Sequence, residues 1–164
     1  AAIEIDGETD LRLLVRERWA AGDRVDYVIV DEAQFLTDRQ VDQLAELVDE
    51  SHVDVYAFGL TTDFRTHLFP GTRRLLEVAD DVQRVQVEVL CWCGLPGLLN
   101  ARVVDGVMVR AGETVVVADT APAQLPGEEP GSSPAVRYQV LCRRHHVRGQ
   151  LGPTAAGPGQ LALP

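Results

Sequence analysis

The sequence predicts an α/β fold with a parallel sheet, followed by a small β module. Apolar segments at 25–30 and 53–60 flank a segment with helical spacing, and strand, helix, strand in that order is typical of a parallel βαβ unit. After residue 90 the pattern changes to short β-rich segments around Asp105-Gly106, a dipeptide typical of hairpin turns. We expect an α/β domain over 1–90, a β module over 91–148 and a disordered tail over 149–164.

The elements of the first domain follow from the spacing of apolar residues. Residues 9–20 form an amphipathic helical pattern with Thr9 as the expected N-cap. The segment 25–30 ends in consecutive apolar residues, which is typical of a strand buried on both faces. Thr37 is the expected cap of the next helix. A strand at 53–60, a helix at 72–79 and a strand at 85–90 complete the prediction.

The second half alternates between strand patterns and loop composition. Residues 102–109 predict a hairpin, and 114–117 predict a further strand. Segments 121–135 and 149–164 are rich in Pro, Gly and small polar or acidic residues, which predicts a mobile loop and a disordered tail.

Composition excludes several classes of protein. The 164 residues carry a formal charge of −10, which disfavours a nucleic-acid partner. Every basic residue apart from His is Arg, so a mechanism that needs a lysine must find it outside this chain. The sequence contains neither an apolar run long enough for a membrane span nor a signal-peptide pattern, and we expect no membrane partner. Three Cys residues are too few for a disulfide scaffold and are typical of a reducing compartment.

Two acids follow the first apolar strand directly. Asp31 and Glu32 at the carboxyl end of a buried strand form a Walker B-like pattern, in which one carboxylate can hold hydrated Mg²⁺. The adjacent carboxylate can then accept a proton or orient a nucleophile in phosphoryl transfer. The alternative is that both acids belong to a solvated turn or cap the following helix.

Cysteine and histidine residues flank the β module. Cys91, Cys93 and Cys142 with a histidine, His145 or His146, make a Cys₃His set suited to a closed structural Zn²⁺ site. The Cys91-x-Cys93 spacing is one residue tighter than usual, although Gly94 permits a sharp turn there. The alternative is buried free thiols beside a surface pair of histidines.

Three motifs together resemble the zinc-containing thymidine kinase family of bacteria and animals. The segment 31–35, Asp-Glu-Ala-Gln-Phe, resembles one family signature, and 59–65 followed by Phe69-Pro70 resembles the next. The pair Cys91 and Cys93, with Tyr138 four residues before Cys142, resembles the last. The matches occur in order from Tyr27 to His146. They imply a partial phosphate-loop NTPase-like domain with a small zinc-binding β module.

The resemblance implies roles for the acidic segment. Glu32 would be the catalytic base toward the nucleoside 5′-hydroxyl, and Asp31 would serve Mg²⁺. Gln34 would contact the phosphates or their metal, and Asp31, Glu32, Ala33 and Gln34 together would form the ATP site.

The resemblance also implies a nucleoside pocket and a choice of metal ligand. Phe35 and Phe64 would line the pocket, and Tyr138 would close it. Phe58 and Phe69 are instead expected to pack in the core. The family pattern selects His145 as the fourth zinc ligand, beside Cys91, Cys93 and Cys142.

By this resemblance the protein would use ATP to phosphorylate thymidine or deoxyuridine in the cytoplasm, for DNA synthesis, as a homotetramer. The family's mechanism needs a glycine-rich loop with a lysine, and this chain has no Lys. We therefore expect a truncated and nearly inactive chain, with a degenerate paralogue as the alternative. Two further hypotheses are an inactive zinc-stapled nucleoside-binding or structural fragment, and a generic zinc-ribbon interaction module.

Overall fold

The computed structural model describes residues 2–85, 89–112 and 136–153. The chain divides into two compact units, residues 1–63 with 67–85, and residues 64–66 with 86–164. Residues 64–66 thus belong to the second unit, although the sequence predicts them within the first domain. The predicted strand at 114–117, the predicted loop at 121–135 and the tail beyond residue 153 lie outside the described residues.

The first unit contains the predicted βαβ arrangement. Its elements are α1 (Leu11–Ala20), β1 (Tyr27–Val30), a 3₁₀ turn (Ala33–Phe35), α2 (Asp38–Ser51), β2 (Asp54–Ala57) and α3 (Pro70–Val78). Strands β1 and β2 are parallel, in register from Tyr27 opposite Asp54 to Val30 opposite Ala57. The apolar face of α2 forms the centre of the core. The mixed α/β class and the parallel pairing are therefore confirmed.

Neighbouring polar side chains compete to cap the N-termini of the helices. The predicted cap at Thr9 is wrong, because its hydroxyl donates to the Asp6 carboxylate at 2.7 Å. Asp10 caps α1 instead, accepting from the Leu13 N–H. Thr37 caps α2 as predicted, in a capping box with Gln40. Helix α3 begins at Pro70, two residues before the predicted start.

The prediction that β1 is buried on both faces is wrong. Val28 and Val30 face the core, but Tyr27 and Ile29 are each 61% exposed. Tyr56 and Phe58 are also exposed on β2 and its continuation, so the expected core position of Phe58 is wrong as well. Among the described residues β1 pairs with β2 alone, and the core cluster covers one face of this pair.

The second unit is an antiparallel sheet followed by a short helix. Its strands β3 (Leu99–Val104), β4 (Val107–Val109) and β5 (Val136–Leu141) lie in the order β4-β3-β5, and α4 (Arg143–Arg148) follows. Asp105 and Gly106 have φ of 49° and 81°, the backbone of a two-residue hairpin turn, which confirms the predicted hairpin. Strand β5 and helix α4 were not predicted.

The predicted strand at 85–90 lies partly outside the residues that the structure describes. Of the predicted strand at 85–90, Leu90 forms an isolated bridge to Pro96, and residues 86–88 are not described. Within the described ranges, every helix is too short or too polar to cross a membrane.

Candidate active site and metal centre

The acidic turn after β1 has an unusual backbone conformation. Glu32 is in the left-handed region, with φ of 52° and ψ of 36°, which costs a residue with a side chain roughly 1–2 kcal/mol. The Asp31 carboxylate accepts the Glu32 N–H at 2.9 Å and so fixes the bend. Both acids are exposed. Glu32 makes no side-chain cap bond to the 3₁₀ turn, so helix capping does not account for it.

Gln34 lies beneath the turn and orients Glu32. Its side chain is buried, and its Nε2 donates to the Glu32 Oε2. Its Oε1 accepts the Leu60 N–H at 2.9 Å. Sequence reasoning directed Gln34 toward phosphates, whereas the structure bonds both ends of its amide within the protein. The amide therefore links the candidate base to the segment after β2.

Two glycines make this arrangement possible. A Cβ at Gly59 would lie 2.5 Å from the Gln34 Oε1, and a Cβ at Gly71 would lie 2.6 Å from the Leu36 carbonyl oxygen. Helix α3 thus approaches the 3₁₀ turn more closely than any side chain would allow. Sequence reasoning did not identify Gly71 as part of the site.

A cavity of about 290 Å³ opens beside the acidic turn. Asp31, Glu32 and Phe35 line it, together with Ile5 and Asp6 from the segment before α1. Phe35 is half exposed and contacts the buried Phe69 edge to face, with ring centroids 5.7 Å apart. The predicted packing role of Phe69 is confirmed. Three predicted site residues therefore share one concave surface.

The second unit brings together the four predicted metal ligands. Nδ1 of His145 lies 3.3 Å from the Cys91 Sγ and 3.6 Å from the Cys142 Sγ, and the Cys93 Sγ lies 3.9 Å from the Cys142 Sγ. All four ligand atoms lie within 4.8 Å of one another. Tetrahedral zinc with bonds of about 2.0–2.3 Å requires ligand spacings of roughly 3.5–3.8 Å, so the donors fit a zinc ion.

Local backbone features position these ligands. The Gly94 N–H donates to the Cys91 carbonyl at 2.8 Å, and Gly94 has φ of 81°, so the tight Cys-x-Cys turn uses the glycine as predicted. Cys142 is the N-cap residue of α4, which places His145 beside it on the first turn. The indole of Trp92 stacks on the His145 imidazole at 4.1 Å.

Burial and hydrogen bonding shift the pKa values of Cys91 and Cys93 in opposite directions. Burial acts to raise the pKa of Cys91, but hydrogen bonds from the Cys142 and Cys93 backbone and from His145 outweigh it and lower the pKa to about 6. The Leu95 backbone acts to lower the pKa of Cys93, but burial and the thiols of Cys91 and Cys142 raise it. A dication bound here would replace the thiol protons.

His146, the alternative ligand, points elsewhere. Its Nε2 lies 3.2 Å from the Phe64 carbonyl oxygen, and its buried Nδ1 has no hydrogen-bond partner. An imidazole nitrogen facing a carbonyl must carry the proton, so Nε2 donates. The geometry therefore favours His145 as the ligand and gives His146 a different contact.

Phe64 and Tyr138 meet the same guanidinium. Arg102 lies 3.9 Å from the centroid of the buried Phe64 ring and 5.7 Å from that of Tyr138, and its Nε donates to the Tyr138 hydroxyl at 3.1 Å. Sequence reasoning missed Arg102, although a charge within the apolar pattern of β3 was a usable signal. The structure thus gathers Phe64 and Tyr138 in the second unit, and Phe35 with the carboxylates in the first.

Comparisons with known proteins agree with the motifs. A family model described as thymidine kinase matches residues 4–146. The chain is 54% identical over 154 residues to a thymidine kinase of Streptomyces coelicolor, which covers 94% of this chain and 67% of that protein. It is 47% identical over 151 residues to a thymidine kinase of Cutibacterium acnes, covering 92% and 65%. It is 34% identical over 138 residues to a thymidine kinase of Enterobacteria phage T4, covering 83% and 62%. The chain spans about two thirds of the length of these relatives.

Proposed function

This chain belongs to the thymidine kinase family, and from that premise we propose that the protein transfers the γ-phosphate of ATP to the 5′-hydroxyl of thymidine or deoxyuridine. The observation that carries the proposal is the acidic turn. Its two carboxylates are exposed at the end of a parallel strand, and one of them is oriented by a buried amide.

Glu32 is the proposed general base. Its Oε2 is held by Gln34, so the carboxylate has a fixed direction while remaining exposed to a substrate. A positioned carboxylate can accept the hydroxyl proton as the phosphoryl group is transferred. The left-handed backbone at Glu32 supports this role, because strained residues with side chains are concentrated at functional sites.

Asp31, Ala33 and Gln34 complete the proposed ATP site with Glu32. Asp31 would bind the Mg²⁺ that accompanies ATP, since hydrated Mg²⁺ is typically held by one or two carboxylates. Gln34 acts on this site by orienting Glu32. The chain has no Lys, so the lysine that cradles the phosphates in phosphate-loop enzymes is not among its residues. We propose a partial phosphate-loop NTPase-like fold for the first unit.

Phe35, Phe64 and Tyr138 are the proposed nucleoside contacts. Phe35 lines the cavity beside the carboxylates. Tyr138 is partly exposed, and Phe64 is fixed beneath Arg102. Aromatic faces suit a pyrimidine base because they stack on it with little loss of side-chain entropy.

The metal centre is proposed to be a structural zinc site. Four protein ligands close the tetrahedron, and such sites contribute folding energy rather than chemistry. Cys91 and Cys93 precede β3, and Cys142 and His145 follow β5. Since Leu99 lies opposite Leu141, zinc would fasten these strands together at one end of the antiparallel pair. A homotetrameric state, a cytoplasmic location and the absence of nucleic-acid or membrane partners complete the proposal.

The test is ATP-dependent thymidine phosphorylation by the whole protein and its Glu32→Gln variant. We expect a loss of roughly 10²–10⁴-fold in kcat, the usual contribution of a general base, with little change in thymidine KM. Glu50→Gln, an equivalent change at an exposed position of α2, is the matched control. Turnover that survives Glu32→Gln would refute the assignment of the base.

A second candidate is a nucleoside-binding fragment without kinase activity, which the lack of any Lys favours. Calorimetric titration distinguishes the two. Thymidine binding without ATP-dependent turnover in the whole protein would support this candidate.

A further inference from the structure

A buried positive charge lies at the centre of the second unit. Arg102 is 4% exposed, although it occupies a strand whose neighbours Ala101 and Val103 are fully buried apolar residues. A guanidinium in such a position must be compensated by its surroundings, because desolvating a charge is costly. Its surroundings therefore indicate what it does.

Two aromatic rings provide part of that compensation. The guanidinium lies over the Phe64 ring at 3.9 Å, well within the range of a cation–π contact, and more closely than Arg65 at 5.7 Å. Arg102 is also directly opposite Tyr138 in the β3–β5 register and bonds to its hydroxyl. One side chain thus sets the distance between both rings.

The backbone of Phe64 accepts a hydrogen bond from the residue that follows a candidate metal ligand. His146 follows the candidate ligand His145 in α4, and its Nε2 donates to the Phe64 carbonyl. Arg110 donates to the carbonyl oxygens of His146 and Val147 and so holds the end of that helix. Phe64 is therefore fixed at its ring by Arg102 and at its backbone by His146.

The two contacts of Arg102 with the rings are directional. A cation–π stack on Phe64 and a hydrogen bond to the Tyr138 hydroxyl together specify one arrangement of the two rings.

We propose that Arg102 is a positioning residue that, together with His146, fixes Phe64 and Tyr138 in the arrangement that receives the pyrimidine nucleoside. This inference rests on the proposed function, because Phe64 and Tyr138 contact the nucleoside only if the protein binds one. Arg102 itself acts through the two rings. Loss of its guanidinium should weaken thymidine binding.

The test compares Arg102→Met, Arg102→Lys and Arg137→Met by calorimetric titration of the zinc-loaded chain with thymidine. We expect Arg102→Met to raise the thymidine Kd roughly tenfold, by loss of the stack and the bond to Tyr138. Arg102→Lys keeps the positive charge but loses the planar fork, so its Kd should be intermediate. Arg137→Met, an exposed position adjacent to Tyr138 in β5, should leave the Kd unchanged.

Nuclear magnetic resonance gives a readout that a purely structural role would not change. In the unsubstituted chain the Arg102 side-chain protons should be shifted upfield by the Phe64 ring, and thymidine should perturb the Phe64 and Tyr138 signals together. In Arg102→Met, a folded spectrum in which thymidine no longer perturbs the Phe64 and Tyr138 signals together supports the proposal.

The outcomes separate the two claims. An unsubstituted chain that does not bind thymidine overturns the proposed function and this inference with it. Normal thymidine binding by Arg102→Met overturns the inference alone. If Arg102→Met is unfolded, the folded Arg102→Lys variant decides, and a Kd equal to that of the unsubstituted chain overturns the inference.

Discussion

The close approach of α3 to the 3₁₀ turn can be tested by adding one methyl group at Gly71. In Gly71→Ala the new Cβ would lie 2.6 Å from the Leu36 carbonyl oxygen, 2.8 Å from that of Ala33 and 2.9 Å from that of Gln34. Side-chain Cβ atoms essentially never approach other atoms within 3.0 Å, and all three obstacles belong to the backbone. The helix and the turn must therefore move apart by several tenths of an ångström.

Two opposing effects set the size of the change. Overpacking against rigid atoms costs typically 1–3 kcal/mol, and the rigid backbone here favours the upper part of that range. Alanine in place of glycine in a helix gains at most about 1 kcal/mol. We expect Gly71→Ala to lower the free energy of unfolding by about 1–2 kcal/mol, which lowers the melting temperature by roughly 5–15 °C in a domain of this size.

The assay is urea unfolding followed by circular dichroism, with Gly7→Ala as the matched control. A Cβ at Gly7 would lie 3.6 Å from the Thr37 Cγ2, an ordinary contact, so its effect should stay within about 0.5 kcal/mol. Because the 3₁₀ turn follows Glu32 directly, Gly71→Ala should also reduce turnover in the whole protein. If Gly71→Ala stabilises the chain, the higher helix propensity of alanine outweighs the steric contact with the 3₁₀ turn, and the reasoning is refuted.

Three further outcomes follow from the site. Glu32→Gly relieves the strain of a left-handed backbone at a residue with a side chain. Unfolding experiments should therefore show a change in stability within about 1 kcal/mol, while turnover is lost. A large loss of stability would contradict this. Chelation of the metal, or the substitution Cys142→Ser, should lower the melting temperature of the second unit. Scanning calorimetry measures that temperature, and metal analysis measures the zinc content. If a chain shown to hold zinc melts at the same temperature after chelation, the site is not structural. In the metal-free chain the pKa of Cys91 is lowered to about 6, so its contribution to stability is complete above the ordinary thiol pKa and is lost as pH falls through about 6. Melting curves between pH 5 and 9 should show this dependence, and Cys91→Ser should reduce it.

Local patterns in the sequence were sufficient for most of the fold. Apolar spacing gave the order of strand, helix and strand, and Thr37 and Asp105-Gly106 correctly marked a helix start and a hairpin. Thr9 failed because a neighbouring carboxylate competed for its hydroxyl, a contact that spacing does not reveal. Strand β5 was missed because its buried and exposed residues do not alternate, with Arg137 and Tyr138 both exposed, so the strand depends on its pairing with the distant β3.

The candidate site was predictable in identity but not in geometry. Motifs identified Glu32 and the four metal ligands, and the structure brings those ligands together. The orientation of the Gln34 amide depends on the Leu60 N–H, 26 residues away. The importance of Arg102 arises from Phe64 and Tyr138, which meet it only in the folded chain.

The stack of Trp92 on His145 has a practical consequence for optical work. The chain contains two tryptophans, Trp19 in α1 of the first unit and Trp92 in the second, so each unit carries its own fluorophore. The indole of Trp92 lies against a candidate metal ligand, and its emission should respond when that imidazole binds an ion. A Trp19→Phe chain would then report metal occupancy by fluorescence alone, and a Trp92→Phe chain would report the integrity of the α/β unit.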